Sequence, residues 1–255
     1  MKPLETPVAL VFFNRPDTLK VVFEEVRKAR PKRLFLIGDG PRNVAEHAVV
    51  EETRAVVANI DWDCDVRKFY SEKNNGCRYN PPLGLTWLFE QVDRAIILED
   101  DCVPDQSIFP YFTELLERYK DDERVMSIRG ANFQHENPAY DCPESYYFST
   151  MASPWGWASW RRAWKNYDIH MESWPVIKER HLLKNVTSHD AITDRLEYLY
   201  DHYHQGKISR WDGLWTLAHL INGGLSIVPK RNMVSNIGFD QRATHSKHAN
   251  NPGAN

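Results

Sequence analysis

Three adjacent carboxylates, Glu99-Asp100-Asp101, follow directly on the apolar run Ala95-Ile96-Ile97-Leu98. Like charges side by side repel, and each resists leaving water. On an extended backbone Glu99 and Asp101 fall on one side and Asp100 on the other. A hard cation makes the arrangement favourable. Magnesium and manganese take one or two carboxylates and fill their other positions with phosphate oxygens and water. The plainer alternative is a solvated acidic turn before the next helix. The buried strand just ahead of the triplet favours the cation, because α/β sites form at strand C-termini.

Two further acids stand in suggestive surroundings. Asp39 lies in Gly38-Asp39-Gly40-Pro41-Arg42, where it is either a hydrogen-bond acceptor for a base or ribose, or an ordinary turn residue. Arg42, and Arg15 in Asn14-Arg15-Pro16, have the reach to meet phosphates. Asp212, in Ser209-Arg210-Trp211-Asp212-Gly213-Leu214-Trp215, opens a strongly apolar helix between two tryptophans. It is either a first-turn acid opposing the helix dipole or a carboxylate beside apolar rings, suited to general-base work. The sequence holds no GxGxxG, P-loop, GxSxG or HExxH motif. Gly76-Cys77-Arg78 has no neighbouring Cys/His/Asn set, and the Asn185-Val186-Thr187 sequon has no secretory route to give it meaning.

These residues need a frame. Val8–Phe13, Leu34–Ile37, Ala95–Leu98 and Val125–Ile128 read as buried strands, with a weaker one at Val66–Tyr70. Between them lie helical patterns. The first opens at Asn14-Arg15-Pro16-Asp17 and carries Leu19, Val22, Phe23 and Val26 on one stripe. The second runs from Ala45 to Asn59 with Val49, Val56, Val57 and Ile60 inward. A polar loop, Ser71 to Asn80, precedes a helix from Pro82 to Val92, and another helix spans Ile108–Tyr119. The alternation predicts an α/β fold, a doubly wound, mostly parallel, Rossmann-like sheet. Residues 131–180 read as loop-rich and aromatic, with Trp155, Trp157, Trp160, Trp164 and Trp174. Helices are expected at Ala191–His204, with Ile192, Leu196, Leu199 and Tyr203 inward, and at Trp211–Ile221, then a short strand at Leu225–Val228. From Asn236 the polar tail reads as mobile.

The 255 residues suit one globular domain, with 42% apolar and 26% charged residues. A formal net charge of −3 gives no basic face for nucleic acid. No apolar run approaches the ~18 residues of a spanning helix, and the start shows no signal-peptide core. Four cysteines, Cys64, Cys77, Cys102 and Cys142, form no CxxC pair and fit a reduced, cytoplasmic protein. The 9 Trp, 11 Tyr and 11 Phe are unusual, and serve either as core or as faces on which sugars stack.

Taken in order, Phe12-Phe13-Asn14-Arg15-Pro16, Gly38-Asp39-Gly40-Pro41-Arg42, Ile97-Leu98-Glu99-Asp100-Asp101-Cys102-Val103-Pro104 and Trp155-Gly156-Trp157-Ala158-Ser159-Trp160 resemble the GT-A glycosyltransferases. In particular they look like the hemolysin-like bacterial enzymes found with surface-polysaccharide genes, which are similar to N-acetylglucosaminyltransferase I. The resemblance runs from about Pro7 to His245. It implies a GT-A fold in which residues 1–130 form the nucleotide-sugar-binding half. Residues 131–255 then form an aromatic-rich acceptor-side half of the same domain, with a C-terminal donor loop. It implies a UDP-sugar donor, Mn2+ or Mg2+ as cofactor, and a glycan or lipid-linked glycan acceptor. Asp101 would bind the metal, with His245 from the donor loop touching metal or diphosphate. Asp100 would face the ribose, Glu99 the donor sugar and Asp39 the uracil, with Asn14 and Arg15 lining the nucleotide pocket. Asp212 would be the catalytic base of an inverting transfer. The enzyme would work in the cytoplasm, peripherally at the inner membrane face. A sugar-nucleotide nucleotidyltransferase is the competing enzyme reading, although those usually carry a Gly-rich basic loop where Asn14-Arg15-Pro16 stands. A non-catalytic nucleotide-sugar-binding module is the other.

Overall fold

The computed structural model describes residues 3–134, 137, 140–187 and 189–239. The chain opens with β1 (Val8–Phe12), α1 (Pro16–Ala29), β2 (Arg33–Gly38), α2 (His47–Val56), β3 (Asp65–Tyr70), α3 (Gly76–Gln91) and β4 (Arg94–Glu99). It continues with β5 (Cys102–Pro104), α4 (Ile108–Arg118), β6 (Val125–Arg129), β7 (Tyr146–Ser149), β8 (Trp157–Trp160), α5 (Arg161–Trp164) and α6 (Trp174–Glu179). It ends with α7 (Asp190–His204), α8 (Asp212–Ile221), β9 (Leu225–Pro229) and β10 (Val234–Asn236). One eight-stranded sheet has the order β3-β2-β1-β4-β8-β6-β9-β7, and β10 pairs with β5 beside it. Pairings β2–β3, β1–β2, β1–β4 and β6–β9 are parallel. β8 is antiparallel to both neighbours, and β7 is antiparallel to β9.

The expected α/β doubly wound sheet is present, and its physical basis is the one read from sequence. Every residue of β1 is buried, because strands pair on both sides and helices cover both faces. α1 starts with Pro16, ends at Arg30 in the left-handed region (φ 50°), and buries Leu19, Val22, Phe23 and Val26. One face of the sheet packs on α1 and α4 and the other on α3 and α8. A satellite core joins α6, α7 and α8 through Trp174, Tyr200, Tyr203 and Leu214.

Several local expectations are corrected. α3 begins at Gly76 rather than Pro82, with Pro81 and Pro82 inside it. Its first turn is held from a distance: the Asp39 carboxylate accepts the Asn75 and Gly76 amides at 2.9 Å each. α2 turns Val50 and Thr53 inward, with Val57 just beyond it, while Val49 and Val56 are half-buried. A one-residue offset rotates a helix face by about 100°. α7 buries Thr193, Tyr200 and Tyr203 and leaves Ile192 exposed. The Trp-rich stretch carries β7, β8, α5 and α6 rather than loop alone. Trp157, Trp160, Trp164 and Trp174 are core, and Trp155 is half-buried. Asn236 is not the start of a loose tail but the last residue of β10, opposite Cys102.

Candidate active site

β1, β2 and β4 run parallel, so the segments after them share one edge of the sheet. Asn14-Arg15, Asp39 and Glu99-Asp100-Asp101 therefore meet there. α8 runs back toward β9, which is parallel to β6, and this brings its first residue, Asp212, to the same edge.

Each acid of the triplet has its own holder. Trp211 donates its indole N–H to Glu99 Oε1 at 3.2 Å. The Phe13 amide donates to Asp100 Oδ2 at 3.2 Å. Arg15 Nη1 lies 3.3 Å from Asp101 Oδ2, and Asn236 Nδ2 donates to Asp101 Oδ1 at 3.3 Å. The Cys102 thiol also donates to Asp101 Oδ1, at 3.4 Å. The Ile237 amide donates to the Asp101 carbonyl at 2.9 Å. Gly238 sits so close over Asp101 and Arg15 that a Cβ there would run into Asp101 Oδ2.

The charges are far from balanced. Burial, then the charges of Asp101, Asp212 and Asp100, raise the Glu99 pKa well above the usual carboxylate range. Burial and Asp101 push Asp100 up to about 7, against the pull of Arg15. Burial raises Asp101 as well, again opposed by Arg15. The Arg15 guanidinium thus opposes the rise at Asp100 and Asp101. Asp212 is near enough for its charge to bear on Glu99, and burial followed by Glu99 and Asp212 drives the Cys77 thiol to about 12. Asp212 is 29% exposed, with Arg210 Nε 3.8 Å from its Oδ1.

A divalent ion suits this donor set. Glu99, Asp101 and Cys102 each place one ligand atom within 4.8 Å of the others. The two carboxylates are hard oxygen donors, as magnesium and manganese require. Cys102 is the odd member: burial holds its thiol far above its ordinary pKa, and it serves Asp101 as a hydrogen-bond donor. The excess negative charge is what a cation would relieve.

Asp39 has the opposite character. Gly40 N and Asn75 N donate to its Oδ1, and Asn74 Nδ2 and Gly76 N to its Oδ2, at 2.8–2.9 Å. A carboxylate has about four acceptor positions, and all are taken. Asp39 is the anchor of the loop into α3, at the sheet edge where the nucleotide contact is expected. Arg15, expected to line the nucleotide pocket, is buried against Asp101. Asn14 turns its amide toward Glu46 Oε1 at 3.5 Å, and Arg42 pairs with Glu46 and lies over the Phe13 ring. His245 lies outside the described residues. Sequence reading named Trp211, Cys102 and the Asn236-Ile237-Gly238 segment but not their contacts with the acid cluster. The first two adjoin residues already singled out, whereas nothing local links Asn236 to Asp101, 135 positions away.

No protein-family model and no curated protein matches the sequence. In structure the chain is similar to GalNAc-T7, solved with UDP, GalNAc and Mn2+, with a TM-score of 0.55 and 13% identity over 92% of this chain. It spans only 44% of that structure's length. Looser likenesses are to UDP-glucose pyrophosphorylase complexed with UDP-glucose (TM-score 0.42, 8% identity, 88% of this chain and 90% of that one) and to mouse xyloside xylosyltransferase 1, apo form (0.41, 14%, 85% and 82%). These two overlap too loosely to bear on the fold. The likeness to GalNAc-T7 supports the GT-A-type α/β fold.

Proposed function

We propose that the chain is a metal-dependent, inverting glycosyltransferase. It would move a sugar, GlcNAc or a related hexose, from a UDP-sugar to a glycan or lipid-linked glycan acceptor. That is the chemistry of the surface-polysaccharide enzymes it resembles and of N-acetylglucosaminyltransferase I. One observation carries the reading: the charge-rich Glu99-Asp100-Asp101 edge and a separate carboxylate, Asp212, share one site, joined by the Trp211–Glu99 hydrogen bond. Single-displacement transfer needs those two parts, one for the leaving diphosphate and one for the attacking hydroxyl.

In this reading Asp101 would hold Mn2+ or Mg2+, with His245 adding a ligand from the C-terminal loop and Glu99, beside Asp101, facing the donor sugar. Such an ion, when bound, would supply charge neutralisation for the diphosphate leaving group. Asp100, held by the Phe13 amide, faces the ribose, and Asn14 and Arg15 border the nucleotide. Arg15 exchanges Asp101 for phosphate oxygens, which suit its fork equally well. Asp39 fixes the loop on the nucleotide side. Asp212 takes the proton from the acceptor hydroxyl as it attacks, with Arg210 Nε 3.8 Å from its Oδ1. Residues 1–130 serve the donor and 131–255 the acceptor. Among the described residues no helix is long and apolar enough to cross a membrane. A cytoplasmic enzyme working peripherally at the inner membrane face is the location we assign.

Calorimetry and a thermal-shift series with UDP-GlcNAc, UDP-Gal and UDP-GalNAc, with and without Mn2+, test the reading, because a ligand of the native state raises stability by mass action. Asp212→Asn is expected to keep Mn2+-dependent donor binding and lose transfer by roughly 10²–10⁴-fold. Transfer at the wild-type rate in that variant would move the base elsewhere. Absence of any Mn2+-dependent UDP-sugar binding would end the proposal.

A further inference from the structure

Arg129 closes β6 and is only 8% exposed. Among the described residues no carboxylate pairs with it. The titratable groups near enough to bear on it are two tyrosines, Tyr147 on β7 and Tyr111 on α4. Its Nη1 meets the Met151 carbonyl at 3.5 Å, the outer limit of a hydrogen bond. Its Nε is buried and has no partner at all. The Nε hydrogen is therefore unused, and it belongs to the side-on Nε–Nη2 edge of a guanidinium that matches two oxygens of a carboxylate or phosphate. Burial pulls its pKa down, opposed by Tyr147 and Tyr111.

Its surroundings point the same way. The guanidinium carbon lies 5.5 Å from the ring of Phe133, which is 50% exposed. Phe133 in turn packs edge-on against Trp155, whose ring meets Phe239 just after Gly238. Ser153, two residues past Met151, also hides a hydroxyl without a partner. Arg129 lies level with Ile97 across β8, through Trp157. Two strand spacings put their backbones about 10 Å apart. Glu99 is two residues beyond Ile97, so this edge of β6 borders the acid cluster from the side away from the nucleotide loops.

A buried, unpaired charge is costly to keep unless a ligand meets it. We propose that Arg129 is the core of an anion subsite that receives a phosphate or carboxylate group carried by the acceptor, under the exposed Phe133 ring. The word acceptor rests on the glycosyltransferase reading; the anion site does not.

The test uses the whole chain, with inorganic phosphate and glucuronate as probes, followed by calorimetry and melting temperature. Wild type is expected to bind at least one probe saturably, and Arg129→Met to weaken that binding at least roughly tenfold. Arg129→Lys keeps the charge without the fork and should fall between. Binding of phosphate alone would identify a phosphorylated acceptor, and of glucuronate alone an acidic sugar. Arg129→Met should leave the melting temperature unchanged or raised, since it removes an uncompensated buried charge. A lower melting temperature would make the guanidinium structural and overturn the proposal, as would probe affinities unchanged by the substitution or absent in wild type. Mn2+-dependent UDP binding should be the same in Arg129→Met; its loss would place Arg129 in the donor site instead. Probe binding through Arg129 without any UDP-sugar binding would keep the anion site and sink the glycosyltransferase.

Discussion

Asp100 and Asp101 are neighbours, yet different segments hold their carboxylates: the Phe13 amide for the first, Arg15 and Asn236 for the second. Different responses to substitution follow. Asp101→Ala removes the proposed cation ligand and should abolish Mn2+-linked UDP binding in calorimetry while circular dichroism stays native. Asp100 bears on stability. Its pKa rises from the ordinary 3.8 to about 7 on folding, so the folded state binds a proton more tightly than the unfolded chain. The stability this proton supports is full below about pH 4 and is lost as pH rises through about 7. Asp100→Asn should flatten that decline in a melting-temperature series. Mn2+ should raise the wild-type melting temperature more at pH 8 than at pH 5, because the ionised carboxylates are the form that binds it. An equal gain at both values would mean that the ion binds elsewhere.

At the scale of elements, α8 shows how the site's support is built. Its first turn supplies Asp212, and in its last turn His219 is wholly buried. His219 Nε2 lies 2.8 Å from Ser127 Oγ on β6, and Nδ1 lies 2.9 Å from the Trp215 carbonyl. Burial lowers its pKa to about 4, so the folded protein keeps it neutral while the unfolded chain protonates it near 6.5. Stability should accordingly fall as pH drops from 6.5 toward 4, and urea titrations of His219→Gln should lack that acid limb. The variant should also lose about 1–3 kcal/mol at pH 7, where its buried partners go unpaired. What was legible in the sequence divides along the same line between local and distant causes. β1, β2, β4 and β6 were readable because burial on both faces demands continuous apolar runs, and Glu99 was placed by the strand that ends in it. The start of α3 was not, because its cap, Asp39, arrives from another loop. β8 was hidden because four residues that include two tryptophans carry no period. The burial of Arg15 against Asp101, and the approach of Asn236 and Gly238, depend on chain segments far apart in sequence.

For the molecule as a whole, β8 decides how the strands before β5 are joined to those after it. It lies antiparallel between β4 and β6, so the register runs from Ile97 through Trp157 to Arg129. The Trp157 ring is completely buried and lies 5.7 Å from both Trp211 and Trp215 and 6.1 Å from Trp164. Trp211 is also the residue that holds Glu99. Packing at the centre of the sheet is thereby coupled to the acid cluster through a single indole. Trp157→Ala should cost about 3–5 kcal/mol, a large share of the roughly 5–15 kcal/mol that stabilises a typical domain. It should also release Trp211 and weaken Mn2+-dependent UDP binding in whatever protein remains folded. Trp174→Ala is the control. That ring is equally buried but sits in the α6–α7–α8 satellite core, with its indole N–H on Asp201. It should cost similar stability in urea denaturation yet leave donor affinity near wild type. If both substitutions lower affinity alike, the loss reflects general destabilisation. If neither does, Glu99 does not need Trp211 to hold its place, and the coupling through β8 is wrong.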